Sequence, residues 1–240
     1  MRTKTFLAIT LLSGAIAGTF LSTINQGIVE PFIERAIALE NQKTTAGGEM
    51  LDPFQFQNYR IWQKSGEIAA GTILGTSYGA LFGLVFAYSR DSIPASNNKK
   101  KALILAAVML VVLYIVPAIK YPANPPGVGD PETIGARQNL YIAYLSISGF
   151  SALGLALLYR KMGAVQSKRA SIAAAYAGIM LTAYFAIPAN PDAITAPMDL
   201  VTSFRLLSGF TISMFWAVLG IILGALWDKT RPHEQARITA

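Results

Sequence analysis

The chain has no cysteine, which excludes a disulfide framework and any thiolate metal site. Histidine is almost as scarce: the one copy, His233, sits near the C-terminus, where an isolated imidazole is expected to be solvated rather than ligating. No HExxH, no GxSxG and no histidine–carboxylate pair occurs, so the common hydrolytic chemistries have no residues to run on, and the protein is not expected to be an enzyme. Charge is sparse as well. Only 14% of the 240 residues are Asp, Glu, Lys or Arg, against about 25% in an ordinary soluble domain.

What fills the chain instead is apolar: 53% of residues are hydrophobic and the mean hydropathy is +0.43. This composition reads as an all-α, polytopic membrane protein whose main partner is the lipid bilayer of the cell membrane. Six runs approach the length of about 20 residues that spans about 30 Å of hydrocarbon. They are Phe6–Ile24, Ile68–Tyr88, Ala102–Ile119, Leu140–Tyr159, Ile172–Ile187 and Leu206–Trp227, the fifth being the shortest. None carries Asp, Glu, Lys or Arg deep within it, so any cation crossing here has to use hydroxyl, amide and backbone oxygens.

The net charge of +7 does not point to nucleic acid, because the basic residues gather in short loops between the runs. Arg2 and Lys4 precede the first run. Arg90, Lys99, Lys100 and Lys101 separate the second from the third; Arg160, Lys161, Lys168 and Arg169 the fourth from the fifth; Lys229, Arg231 and Arg237 follow the sixth. The alternate loops carry most of the acids, among them Glu30, Glu34, Glu40, Glu49, Asp52, Glu67, Asp130, Glu132, Asp192 and Asp199. By the positive-inside rule both termini are expected in the cytoplasm. The first run also admits a cleaved signal peptide, with Ala15-Ile16-Ala17 as its site. Retention is the favoured reading, because the apolar stretch continues to Ile24 and Gly14 and Gly18 have the spacing of a helix contact.

The tetrapeptide PANP closes two of the runs, at Pro122–Pro125 and at Pro188–Pro191. Proline lacks a donor and pushes the preceding residue out of helical geometry, so Pro122, Pro125, Pro188 and Pro191 are expected to stop helices, with Asn124 and Asn190 capping freed backbone groups. The two asparagines are 66 positions apart, the same offset maps Gly154 onto Gly220, and Arg137 and Arg205 each open the helix that returns. Spans three-four and five-six therefore read as copies of one hairpin, and "GALFGLVFAYSR" at the end of span two extends the pattern more loosely to the first pair. Within one membrane domain, 1–240, the expectation is three two-helix units, 1–90, 99–161 and 168–229, repeated in parallel about an axis along the membrane normal.

In span two, Gly71, Gly75, Gly79 and Gly83 fall every fourth residue and leave one helix face bare, a face suited to close packing of another backbone. Between spans one and two lies the one extended non-membrane segment, 26–66. Its "VEPFIERAIALE" reads as an amphipathic helix with Phe32, Ile33, Ala36 and Ile37 on one side; Gly47-Gly48 marks a flexible turn; Phe54, Phe56, Tyr59 and Trp62 then read as interfacial aromatics. The segment is either a surface anchor, the favoured reading, or a lid over an outer mouth.

The residue types that could meet a divalent cation gather at the expected outer ends of the spans. Glu30, Glu67, Asn124 and Asn190 are the candidate metal ligands, since carboxylate and amide oxygens suit a hydrated divalent ion. Glu67, Arg137 and Arg205 equally suit a salt-bridge girdle that ties hairpins together without transport.

Three stretches carry a family resemblance: "GAIAGTFLSTINQGIVEPFIERAIALE", "GTILGTSYGALFGLVFAYSR" and, most specifically, "VPAIKYPANPPGVGDPETIGARQ". Together they resemble the CbtA family of predicted cobalt-transporter subunits. The resemblance implies a membrane subunit importing cobalt for corrinoid synthesis, often beside a short single-span companion with a histidine-rich end. It matches at Glu30, Pro31 and Glu40, and again at Pro117, Pro122, Asn124, Pro125, Pro126, Glu132 and Arg137; within "ERAIALE", where a further acid is expected, this chain has Ile37 and Ala38. Transport of Co2+ with no bound cofactor is thus the first functional expectation, and a non-transporting scaffold or accessory subunit the second.

Overall fold

The computed structural model describes residues 2–47, 52–162 and 167–232, and among them there is no strand. Eight α-helices follow in order: α1 (Thr3–Ile28), α2 (Glu30–Ala46), α3 (Pro53–Ser89), α4 (Asn98–Leu110), α5 (Val116–Lys120), α6 (Ile134–Lys161), α7 (Lys168–Ala186) and α8 (Met198–Thr230). A π-helical turn, Val111–Ile115, joins α4 to α5, so the two run on as one rod. Gly48, half of the expected turn, and His233 lie outside the described residues.

Among the described residues, five stretches are long and apolar enough to cross a membrane: Thr3–Ile28, Pro53–Ser92, Asn98–Lys120, Pro131–Lys161 and Met198–Thr230. Six were expected. The missing one forms a helix, α7, but Lys168, Arg169 and Ser171 occupy its first turn and a run of alanines its middle, and the segment falls short of the others in hydropathy. Where the fifth run ends, α7 closes at Ala186, and Ile187, just before Pro188, is extended (ψ 139°). Likewise α5 closes at Lys120, and Tyr121 before Pro122 leaves helical geometry (φ −126°, ψ 76°).

The largest departure from the sequence pattern is the start of α3. The aromatic stretch Phe54–Trp62 belongs to the same helix as span two, which begins at Pro53 rather than near Ile68. The cause is local. Asp52 caps the helix, its Oδ1 accepting the N–H groups of Phe54 (2.9 Å) and Gln55 (3.4 Å), while Pro53 supplies a preset φ at the first position. At 1.5 Å per residue the 37-residue helix is about 55 Å long, more than a hydrocarbon core requires.

The chain divides into two compact units. The first comprises residues 1–108 and 206–240. Its seam is the contact of α1 with α3, where glycine meets glycine: a Cβ built on Gly75 would lie 2.5 Å from the Gly14 carbonyl oxygen, and one on Gly18 2.2 Å from that of Gly71. Only hydrogen fits there, so the backbones touch and dispersion replaces the side-chain interdigitation of a soluble core. Thr19 and Thr72 hydrogen-bond across the same seam (2.8 Å). Against it α8 lays an aromatic layer: Trp216 meets the rings of Tyr78 and Phe82, and Trp227 packs edge-on against Phe6 and Phe86. Asp228 of α8 caps α4, its carboxylate accepting from the main chain of Asn98 and Lys99.

The second unit comprises residues 109–205. Tyr144 of α6 and Met180 and Ala183 of α7 form its buried centre, with Val116, Tyr121, Ile147, Tyr176 and Ile187 packed around them.

Candidate functional site

Two polar clusters stand out, one in each unit. In the first unit α2, which follows α1 after Val29, presents Glu30 and Glu34, one helical turn apart, to Arg60 and Lys64, one turn apart on α3. Glu30 is buried, with 7% of its surface exposed, and its Oε1 accepts from the Arg60 guanidinium and lies 3.4 Å from Lys64 Nζ. Lys64 also donates to Glu34, and that hydrogen bond holds the Glu34 carboxyl below the ordinary range. Glu67 stands on α3 three residues beyond Lys64, near Asn25, Glu30 and Arg60. The Oδ1 of Asn25 is buried with no hydrogen-bond partner, and the Gln26 amide donates to the Lys64 carbonyl (2.7 Å). Two carboxylates, Glu30 and Glu34, therefore share two cations, Arg60 and Lys64.

In the second unit the two PANP loops are laced together. Asp192, two residues past Asn190, takes the Thr133 hydroxyl (2.6 Å) and the Asp130 N–H (3.0 Å), and lies 3.0 Å from Arg137 Nε. The Arg137 guanidinium also donates to the Val128 and Asp130 carbonyls of its own loop. In the reverse sense Arg205 reaches the first loop, donating to Asn124 Oδ1 (2.6 and 3.2 Å) and to the Ala123 carbonyl (3.3 Å). Tyr121 donates to the Pro188 carbonyl and Lys120 to that of Tyr184 (2.6 Å). The hydrogen bonds to Asp192, the Thr133 hydroxyl first among them, hold its carboxyl below the usual aspartate range. Gly129, at φ +94°, makes room: a Cβ there would sit 2.5 Å from both Arg137 Nη1 and Asp192 Oδ2.

Glu30 and Glu67 thus share a cluster, with Arg60 and Lys64 among them. Asn124 and Asn190 belong to the other unit. The oxygen of Asn124 is taken by Arg205, and that of Asn190 accepts the Asp192 N–H (3.1 Å), an Asx turn rather than an open ligand. Among the described residues no three of His, Asp and Glu converge as a metal site. The arginines expected to girdle the hairpins have partners within their own unit, Asp192 and Asn124. Sequence reasoning passed over Arg60 and Lys64. Their signal was legible in the matched four-residue spacings of Glu30/Glu34 and Arg60/Lys64, which let two facing helices pair twice.

A family model described as "Probable cobalt transporter subunit (CbtA)" matches residues 3–228 of the 240. The chain belongs to the CbtA family. No curated protein and no solved structure matches it. For a CbtA-family chain, the match covers both polar clusters and every described helix but the last residues of α8.

Proposed function

We propose that the protein is the multi-pass membrane subunit of a system that takes up a divalent cation, cobalt being the ion the family description names. The family match over residues 3–228 carries this reading. The chain crosses the membrane six times in three hairpins, α7 making the fifth crossing although its hydropathy is lower than that of the other spans, and both termini face the cytoplasm, as the loop lysines and arginines require. Glu30 and Glu67 are the acids that meet the arriving ion. With Arg60 and Lys64 holding Glu30, the cluster as it stands is closed, and binding exchanges an internal cation for an external one. Asn124 and Asn190 could join as ligands only by releasing Arg205 and the Asp192 N–H, so their first role is to shape the loops. A small single-span companion subunit is the expected partner.

The test is cobalt accumulation in cells with and without this gene, each with and without the companion. Accumulation that tracks the gene supports the reading; equal accumulation in all four strains refutes it. A second reading, a membrane scaffold, is favoured by one observation: Glu30 is already paired with Arg60 and Lys64 and needs no ion to be stable there. It predicts that Glu30→Gln lowers thermal stability and leaves accumulation per folded molecule unchanged.

A further inference from the structure

The cations of the first unit gather at one end of its helices. The N–H of Arg2, just before α1, donates to the Pro232 carbonyl, just after α8 (2.8 Å), so the start of one helix lies beside the finish of the other. Phe6 and Phe86 both meet Trp227 edge-on, which brings the finish of α3 to the same level. The start of α4 joins them. Asp228 accepts from the main chain of Asn98 and Lys99 (3.2 and 3.1 Å), and a Cβ built on Gly224 would sit 2.5 Å from Lys99 Cα. Arg2, Lys4, Lys99, Lys100, Lys101 and Lys229 therefore share one end. Its acids are engaged: Asp91 pairs with Arg90 (3.2 Å), and Asp228 caps α4. Among the described residues none of the six cations has a carboxylate at ion-pair distance.

The positive-inside rule accounts for the sign of this charge but not for where on each helix it stands. Three of the lysines head a row of exposed apolar side chains. On α1, Lys4, Leu7 and Leu11 fall at i, i+3 and i+7, all exposed. On α4, Lys100, Ile104 and Val108 fall at i, i+4 and i+8, again all exposed. The row on α8 runs the other way, from Ile221 through Ala225 to Lys229, with the same exposure. Arg2 and Lys99 are equally exposed but differ in what lies below them: one turn on stand the buried Phe6 and Ala102.

We propose that these three rows are seats for anionic phospholipid, each lysine meeting the headgroup phosphate while the acyl chains lie along the apolar residues of its row. A lysine stem runs along apolar surface and delivers its ammonium to the level of the headgroups. That ammonium has three donors and no carboxylate to take them, so phosphate oxygens complete it. Seven or eight residues of helix amount to about 10–12 Å, most of the roughly 15 Å depth of one leaflet's hydrocarbon. Each lysine or arginine close to an anionic lipid surface strengthens attachment by a factor of about five. An acidic protein would be drawn by the charge alone and has no use for the apolar rows; a diacyl lipid matches both parts. The ligand is the lipid itself, so the seats stand whether or not an ion is transported.

The experiment places the purified full chain in phosphatidylcholine vesicles with a trace of spin-labelled phosphatidylglycerol or, in parallel, spin-labelled phosphatidylcholine. The fraction of label immobilised on the protein gives the preference between the two lipids. Wild type should prefer phosphatidylglycerol by about fivefold, and 1 M salt should shrink that preference as the screening length falls to about 3 Å. Two double variants then remove the same charge from exposed positions. Lys4→Gln with Lys100→Gln empties two seats and should lose most of the preference, whereas Arg2→Gln with Lys99→Gln, away from the rows, should keep most of it. Equal losses in the two doubles would show diffuse attraction without seats and overturn the proposal. So would a wild type that holds both lipids alike, which would leave the charge to topology or to an acidic protein. If the Lys4/Lys100 double does not fold, Lys4→Ala and Lys100→Ala made singly decide, each expected to lower the preference more than Lys99→Ala; equal effects would again overturn the seats.

Discussion

At the scale of single residues the protein places its few charges with care. Glu30 is buried against Arg60, and removing one member of such a pair costs about 3–5 kcal/mol because the other is stranded at low dielectric. Arg60→Gln should therefore lower the melting temperature in detergent more than Lys64→Gln, whose side chain is 39% exposed. The double variant Glu30→Gln with Arg60→Gln should recover part of the loss, as coupled groups do; strictly additive losses would show that the pair is not coupled. Asp192 offers a pH test. Its folded-state pKa is depressed, so its contribution to stability is complete above the unfolded value of about 3.9 and is lost as pH falls through the lower folded value. Acid unfolding of wild type should steepen there, and Asp192→Asn should flatten that limb of the pH–stability curve; identical curves would remove the lacing of the loops from the account.

At the scale of elements, the α1–α3 seam tolerates no side chain. Gly75→Leu drives carbon into the main chain of Gly14 and Gly18 and should destabilise the fold by at least the 1–3 kcal/mol or so of ordinary overpacking, since backbone cannot step aside. Leu84→Phe on the exposed side of the same helix should shift the melting temperature little. Equal effects of the two would mean that the seam opens in the membrane. How much of this was legible beforehand differs by element. The four-residue spacing of Gly71, Gly75, Gly79 and Gly83 marked a bare face, because 3.6 residues per turn stacks such positions, but it named no partner; Gly14 and Gly18 emerged opposite it only when α1 was in place. The start of α3 is hidden from a hydropathy count because Gln55, Gln57, Asn58, Arg60, Gln63 and Lys64 interrupt the apolar run, whereas a helix cap at Asp52 ignores polarity altogether.

At the scale of the whole molecule, the absence of native cysteine makes topology directly measurable. A cysteine at Glu132, in the loop after the first PANP, should react with a membrane-impermeant maleimide in intact cells, and one at Asn97, before α4, should react only after permeabilisation. The opposite pattern would invert the protein. Sequence by itself determined that this chain is helical and membrane-bound, where its helices stop and which loops hold the cations, because length, hydropathy, proline and loop charge act locally and are written in order along the chain. Tertiary structure alone decided the pairings: Glu30 with Arg60, Arg137 with Asp192, Arg205 with Asn124, and Ser148 with the Val112 carbonyl. These contacts join residues 30 to 81 positions apart, and a hydrogen bond depends on direction and on distances of tenths of an ångström, which no count along the sequence contains.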